Sequence, residues 1–302
     1  MAEKAKNETA SEPGGELPSS EGRFRNFKRV IASPLGFLGV VLVALIIISA
    51  VFAPQLAPHD PLEIDVVNQL EGPSSQYLLG TDDIGRDLLS RIIYGSRIAL
   101  LVAMPAIVFG VILGLILGII AGYSPGKIDS IMIIFFDIIR SLPAIIFAIT
   151  ILVIIGPSMY VLPVVMGVTR VPIYGRLIRA NTKRVKENEY VLASKAIGSS
   201  TIKTMFKHIM PNVVGPLFIQ AAMDIPVMIT FEAGLSFLGL GVNPPTPSWG
   251  HILRVGYLNV RQAPHIVVFG GIALVVATLG FTLLGERLRD VFDPKLQREG
   301  GL

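Results

Sequence analysis

The amino-acid sequence predicts an all-α integral membrane protein with six transmembrane helices. Of its 302 residues, 52% are hydrophobic and only 16% are charged, and the mean hydropathy is +0.64. A soluble domain carries about 25% charged residues. The charged residues are concentrated between long apolar windows, and a helix needs about 20 mainly apolar residues to cross the hydrocarbon core of a bilayer.

Six apolar windows meet or approach this length. They cover residues 34–52, 98–121, 131–155, 159–174, 213–234 and 266–284. The fourth window is short and contains Pro163 and Pro172. The first window is too long and too far from the N-terminus for the apolar region of a cleaved signal peptide, so we expect it to be a retained span.

The windows divide the chain into five parts. Residues 1–22 are rich in Glu, Lys, Ser, Gly and Pro and are expected to form a disordered cytoplasmic tail. The other expected parts are a basic flank with the first span (23–56), an extracytoplasmic segment (57–96), a domain of five transmembrane helices (97–286) and a cytoplasmic C-terminal tail (287–302).

The positions of the basic residues predict the orientation. Lys and Arg gather before the first window, between the fourth and fifth, and after the sixth. An even number of spans places these three regions on one side, which the positive-inside rule assigns to the cytoplasm together with both termini. Basic cytoplasmic loops also explain the net charge of +4, so membrane lipid is the expected environment and no nucleic-acid partner is expected.

Several kinds of chemistry are disfavoured. The sequence has no cysteine, which excludes disulfides and Cys-ligated metals. Its four histidines are scattered over loops on both predicted sides, so we expect no catalytic residues and no metal or cofactor in this chain.

The extracytoplasmic segment ends in a distinctive motif, LGTDDIGRDLLSRIIYGSR, here named the outer motif. Apolar residues at helical spacing after Asp87 predict an amphipathic interfacial helix that leads into the second span. Thr81 or Asp82 is a candidate N-cap, and Asp87 and Arg91 are spaced to pair. The cluster of Asp82, Asp83 and Asp87 could bind Mg²⁺ and diphosphate. Arg86 and Arg91 can neutralise its charge, however, which favours a structural role. The candidate residues of this motif are Gly80, Thr81, Asp82, Asp83, Gly85, Arg86 and Asp87.

Residues 188–211, here named the elbow, lie in the long basic stretch between the fourth and fifth windows. The pattern predicts a helix, a break at Gly198, a second helix over 201–210 and a stop at Pro211. The elbow carries apolar residues that either dock a partner protein or pack on the ends of its own helices. Both interpretations stay open. The candidate docking residues are Val191, Leu192, Ala193, Ser194, Gly198, Phe206, Ile209 and Pro211.

Four ionisable residues fall within apolar windows. Asp137 and Arg140 are expected to pair with each other in the third window, whereas Asp224 has no evident partner. Glu232 is either a functional carboxylate or a carboxylate hydrogen-bonded to a neighbouring helix. After it, prolines end the fifth helix, and Trp249 is expected to anchor the chain at the membrane interface.

These motifs resemble those of a known family. The segment from Leu192 to Pro211 is similar to the EAA loop of permease subunits of binding-protein-dependent ABC importers. It differs where Leu192 replaces the usual Glu, Ser194 replaces the second Ala and Met210 replaces Leu. The outer motif, EAGLSFLGLGVNPPTPSWG and the ending GERLRDVFDPKLQ resemble the C-type permease subunit of dipeptide, oligopeptide and nickel importers.

The resemblance implies a type I importer fold in which this chain forms half of a peptide translocation pathway. It also implies a sister B-type permease subunit, two ATPase subunits docked on the elbows, and an extracytoplasmic solute-binding protein. ATP and Mg²⁺ would belong to the ATPases, because this chain has no GxxxxGK[ST] loop. The alternatives are a nickel-chelate importer of the same family and an ion-coupled secondary transporter.

Overall fold

The computed structural model describes residues 33–124 and 126–292. The predicted disordered tail, the basic flank before residue 33 and the end of the C-terminal tail lie outside these ranges. The described chain forms α1 (Pro34–Val51), α2 (Ala53–Leu56), α3 (Leu88–Tyr123), α4 (Lys127–Arg140), α5 (Ala144–Ile155), α6 (Val161–Val185), α7 (Glu189–Ala196), α8 (Thr201–Thr204), α9 (Met210–Phe237), α10 (Trp249–Leu258) and α11 (Pro264–Phe292). A 3₁₀ turn covers Val66–Asn68, and a π-helical turn covers Met205–Ile209.

The predicted fold class is confirmed. Within the described ranges the regular structure is helical, with a single isolated β-bridge between Thr81 and Asp87. Five continuous helices are long and apolar enough to cross a membrane, and the count becomes six if one bent pair forms a span. The five correspond to the first, second, fourth, fifth and sixth predicted windows, although the helix of the fourth window begins only at Val161.

The third window is where the predicted continuous span is wrong. Helices α4 and α5 meet at an angle of 80° across residues 141–143. Pro143 lies at this bend and precedes the first residue of α5. Proline lacks the N–H that an uninterrupted helix would use and disfavours helical geometry in the residue before it. The window therefore forms a broken element instead of one straight helix.

The interfacial helix and the second span are one helix. Helix α3 starts at Leu88 and continues for 36 residues. Its N-cap is Asp87, whose carboxylate accepts a hydrogen bond from the backbone N–H of Ser90 at 2.9 Å. The predicted caps, Thr81 and Asp82, are therefore wrong, because the helix starts later than either residue allows.

Helices α3 and α6 pack at backbone distance. A Cβ added at Gly118 of α3 would lie 2.6 Å from the carbonyl oxygen of Gly175 in α6, and one at Gly122 would lie 2.6 Å from Cβ of Thr182. Small residues allow this close approach of membrane helices. The α3–α6 pair forms the centre of the bundle, with α9 packed against both helices and α11 packed against α1, α9 and α10.

Trp249 is buried in the protein, so the predicted interfacial anchor is wrong. It begins α10 and is 1% exposed. Its ring fits against α3 at Gly95, where an added Cβ would lie 2.6 Å from the ring atom Cδ1. The short helix α10 is therefore held against the bundle by its first side chain.

Candidate functional site

The elbow consists of two short helices joined by a glycine turn. Helix α7 ends at Ala196, and Gly198 has φ +87°, a backbone conformation that glycine adopts without steric cost. The N–H of Gly198 donates to the carbonyl oxygen of Lys195, and that of Ser199 donates to Ser194. The Ser200 hydroxyl then caps α8 by accepting from the backbone N–H of Lys203. The predicted helix–glycine–helix pattern is observed.

The break predicted at Pro211 is wrong. Helix α8, the π-helical turn and α9 form one continuous helical segment, Thr201–Phe237. Pro211 is the second residue of α9, directly after the π-helical turn Met205–Ile209, where the backbone already departs from the regular i→i−4 hydrogen bonding that a proline would interrupt. The second half of the elbow, residues 201–211, is consequently a continuous helical extension of a membrane span.

The inner face of the elbow packs on its own bundle. Val191 and Ile209 are fully buried, in a cluster with Tyr174, Ile178 and Val213. The ammonium of Lys195 also lies 4.7 Å from the centre of the Tyr123 ring at the end of α3. For these residues the self-packing interpretation describes the structure.

The outer face of the elbow remains uncovered. Its large apolar side chains on both helices and at the turn are exposed, and Phe206 is 63% exposed. Ala193, Gly198 and Pro211 are exposed as well, and Ser194 is half-buried. The exposed large aliphatic and phenylalanine side chains, here named the elbow patch, are Leu192, Ile197, Ile202 and Phe206. Exposed Lys195, Lys203 and Lys207 lie along the same segment, so the patch combines apolar area with positive charge.

The outer motif forms a closed hydrogen-bonded structure. The Asp82 carboxylate accepts from the backbone N–H groups of Ile84 and Arg86 and from Nε of Arg86 at 2.7 Å. Arg91 Nε lies 3.3 Å from the same carboxylate, so the predicted pair between Asp87 and Arg91 is wrong.

Other members of the motif shape its turns and its packing. Gly80 and Gly85 have positive φ, and the Thr81 hydroxyl donates to the carbonyl oxygen of Asn68. Asp83 lies 3.8 Å from Arg86. Among the described residues no group of three or more His, Asp or Glu side chains could hold a metal ion. Thr81, Asp82 and the two glycines therefore shape the turns of the motif itself.

The intramembrane acids have partners that sequence spacing did not indicate. Asp137 pairs with Arg176 of α6, so the predicted pairing with Arg140 is wrong, because α6 packs beside α4. Asp224 lies 3.7 Å from Arg170 of α6 and accepts from Gln220 at 3.4 Å. The two ion pairs join residues that are distant in the chain.

Glu232 is fully buried. One of its oxygens accepts a hydrogen bond from the hydroxyl of Ser236, one helical turn away, at 2.6 Å. The partner lies on the same helix, so the interpretation that Glu232 is hydrogen-bonded to a neighbouring helix is wrong, and the alternative of a functional carboxylate stays a prediction.

The structure also contains a charged cluster that the sequence did not predict. Asp129, in the first turn of α4, accepts from Nη2 of Arg179 at 2.8 Å and from Nζ of Lys183 at 2.7 Å. Lys186 donates to the carbonyl oxygen of Gly122 at 3.0 Å. In the sequence these basic residues indicate only the orientation of the chain in the membrane. Their spacing along the chain does not reveal that they attach the end of α6 to α3 and α4.

Comparison with known proteins identifies the family of the chain. A family model described as binding-protein-dependent transport system inner membrane component matches residues 114–298, more than half of the sequence. The chain belongs to this family. A model described as the N-terminal TM domain of oligopeptide transport permease C also matches residues 24–73. The resemblance to C-type permease components is therefore confirmed.

Relatives of this permease component match over nearly their whole length. A dipeptide transport system permease protein of Alkalihalophilus pseudofirmus is 38% identical, over 90% of this chain and 89% of its own. A di/tripeptide transport system permease protein of Pseudomonas aeruginosa is 37% identical, over 96% and 97% respectively. A glutathione transport system permease protein of Escherichia coli is 34% identical, over 91% and 90%.

Proposed function

We propose that this chain is the C-type permease subunit of an ATP-driven importer of di- or oligopeptides. It would form half of the translocation pathway in a prokaryotic cytoplasmic membrane, with both termini in the cytoplasm. A sister B-type permease would supply the other half, and an extracytoplasmic solute-binding protein would deliver the peptide. The family assignment and the peptide-transport names of the relatives support this proposal.

The elbow patch is the observation that carries the mechanism. A cluster of large exposed apolar side chains with basic neighbours is typical of a protein-docking surface. The positive-inside rule places this surface in the cytoplasm, where ATPase subunits would bind it. ATP hydrolysis then belongs to those partners, with ATP and Mg²⁺ bound there, and this chain acts as a transport subunit rather than an enzyme.

The continuity of the helix explains how docking would drive transport. Phe206 lies in the π-helical turn of the segment Thr201–Phe237, so a force on its ring acts directly on α9. Val191 and Ile209 fix the other face of the elbow to α6 and α9. Movement of the ATPase would therefore displace the bundle as a rigid lever instead of bending a flexible loop.

A pair of matched phenylalanines tests the proposal. Phe206 in the elbow and Phe218 in α9 are 63% and 64% exposed, so each can be changed to Ala without opening a core cavity. We expect Phe206→Ala to weaken capture of the ATPase subunits by about tenfold or more, the size of a hot-spot loss. Phe218→Ala should leave capture unchanged. The measurement is the amount of ATPase that co-purifies with the tagged chain.

Transport provides the second readout. The complete complex in proteoliposomes should import a dipeptide only with ATP and the binding protein, and Phe206→Ala should reduce this import. Wild-type ATPase capture by Phe206→Ala would contradict docking at the elbow. Uptake by this chain alone, driven by a proton or sodium gradient, would instead establish a secondary transporter.

A further inference from the structure

A polar cavity lies in the segment that connects α1 to α3, outside the elbow and the helical bundle. Its volume is about 260 Å³. It is formed where residues 59–65, 76–77 and 85–87 come together. The residues that line it include His59, Asp60, Glu63, Asp65, Tyr77 and Asp87.

The cavity has a large excess of negative charge. Its described lining contains four carboxylates and neither Lys nor Arg. The two arginines of the adjoining sequence are bound elsewhere, since Arg86 donates to Asp82 and Arg91 donates to the carbonyl oxygen of Pro61 at 3.0 Å. Residues 57–87 as a whole carry seven acidic residues and one arginine.

Hydrogen bonds keep one of these carboxylates charged. The Asn68 amide and the Tyr77 hydroxyl both donate to Asp65, at 2.7 and 3.0 Å. These bonds lower the pKa of Asp65. Asp65 therefore keeps its negative charge at neutral pH.

One carboxylate oxygen in the cavity has no partner. Asp87 is 2% exposed, and its Oδ2 accepts from the backbone N–H and the hydroxyl of Ser90. Its Oδ1 is buried and forms no hydrogen bond. Nδ1 of His59 lies 3.6 Å from Asp87 Oδ2 and also forms no hydrogen bond. Because buried polar atoms are normally paired, this end of the cavity lacks a donor.

The chemistry of the lining indicates what the missing donor is. No group of three or more metal-binding side chains converges among the described residues, which disfavours a metal ion. The rings of His59 and Tyr77, 5.2 Å apart, border the cavity, and aromatic faces attract organic cations. The volume lies below the range of about 300–1,000 Å³ typical of sites for drug-sized ligands. A single ammonium or guanidinium group fits these conditions, whereas a whole peptide does not.

The surroundings of the cavity favour a protein as the source of this cation. Next to the carboxylates, the side chains of Leu62, Ile64, Val66 and Val67 are exposed, and Val67 is 91% exposed. Apolar contacts beside a charged pocket are typical of a protein interface. An acidic surface is repelled by anionic lipid headgroups, which argues against a bilayer as the partner.

We propose that this cavity receives a lysine or arginine side chain of the extracytoplasmic solute-binding protein. The proposal rests on the proposed function, which places residues 57–87 on the side where that protein docks. The basic side chain would donate to Asp87 and lie among Asp60, Glu63 and Asp65. Leu62, Ile64, Val66 and Val67 would be covered in the same contact.

The test measures binding of the solute-binding protein to the complete transporter in nanodiscs at low ionic strength. Glu63 is exposed and lines the cavity, whereas Glu71 lies outside it in the same segment. Glu63→Gln should weaken binding by about two- to fivefold, the size of one surface ion pair. Asp60→Asn combined with Glu63→Gln should weaken it further, and salt should reduce the difference. The matched control, Glu71→Gln, should leave binding unchanged.

Two results would overturn the proposal. One is unchanged affinity of the double variant, and the other is an equal loss with Glu71→Gln, which would indicate a general effect of charge. If the wild-type transporter binds no solute-binding protein at all, the proposed function fails together with this inference. If wild-type binding and peptide import are normal but the cavity variants have no effect, only this inference fails.

A photo-crosslinker at position 64 identifies the occupant directly. Ile64 lines the cavity and is exposed, so a benzoyl-phenylalanine there should react with whatever covers the site. We expect a crosslink to a segment of the solute-binding protein that contains lysine or arginine. Crosslinks only to lipid, or to another part of the transporter, would overturn the proposal.

Discussion

The indole N–H of Trp249 donates a hydrogen bond to the backbone carbonyl oxygen of Ile92 at 2.9 Å. The bond joins the first residue of α10 to the second turn of α3, although the two residues are 157 positions apart in the chain. In α3 the bonded carbonyl precedes Gly95, which leaves the space for the ring. Trp249 therefore fixes α10, and the loop after α9, to the start of α3.

Replacing Trp249 tests the strength of this link. Trp249→Ala removes a fully buried ring, so the free energy of unfolding should fall by about 3–5 kcal/mol. Trp249→Phe keeps most of the ring but loses the hydrogen bond, so it should fall by only about 1 kcal/mol. The measurement is the temperature at which the detergent-solubilised protein loses its monodisperse size-exclusion peak. Equal effects of Ala and Phe would contradict a role for the buried ring.

The backbone contact between α3 and α6 makes a second prediction. Gly118→Ala would place a Cβ 2.6 Å from the carbonyl oxygen of Gly175 and should destabilise the bundle by about 1–3 kcal/mol. Gly215 in α9 is the matched control, because an added Cβ meets nothing within 4 Å there. Gly215→Ala should be neutral or stabilise by up to about 1 kcal/mol. The same thermal assay measures both variants, and equal loss would contradict close packing at Gly118.

The features that the sequence predicted correctly are local ones. Apolar length alone located α1, α3, α6, α9 and α11, because each backbone segment in a bilayer must satisfy its own hydrogen bonds. The turn at Gly198 was also predicted, because a glycine flanked by small polar residues interrupts a helix whatever surrounds it. These features depend on the residues of one segment and its solvent.

The features that were predicted wrongly depend on contacts between segments. Spacing suggested that Asp137 pairs with Arg140, but α6 presents Arg176 to it. Trp249 resembles an interfacial anchor until Gly95 of α3 provides a buried space for its ring. The same limit applies to the elbow, where self-packing of Val191 and exposure of Phe206 are distinguished only by the neighbouring helices.

The ion pair between Arg170 and Asp224 makes a third prediction. The two side chains connect α6 and α9 within the bundle at 3.7 Å. The Arg170 side chain is 16% exposed and that of Asp224 6%, so removing one partner leaves a largely buried, uncompensated charge and costs up to about 3–5 kcal/mol. Arg170→Met and Asp224→Leu should therefore each destabilise strongly, while the double variant should be more stable than the sum of the two losses predicts. Additive losses in a double-mutant cycle would contradict the pair.

The turn of the elbow makes the last prediction, because its backbone can be strained without opening the core. Gly198 has φ +87° and open space around it, so Gly198→Val meets no neighbour but forces a β-branched residue into a conformation that costs about 1–2 kcal/mol or more. The elbow patch lies on both sides of this turn, so the strain should change the orientation of α7 relative to α8. Gly198→Asn should be tolerated, since Asn adopts positive φ more readily.

The control for this variant is Gly156, at the turn between α5 and α6. It has φ +91° and open space around it, so Gly156→Val also forces a β-branched residue into a positive-φ conformation, but far from the elbow. We expect Gly198→Val to lower ATPase capture and the ATP hydrolysis stimulated by the peptide-loaded binding protein. Gly198→Asn and Gly156→Val should retain both activities. Equal losses in the two valine variants would show that backbone strain acts through general instability, whereas a loss confined to Gly198→Val assigns the defect to the elbow geometry.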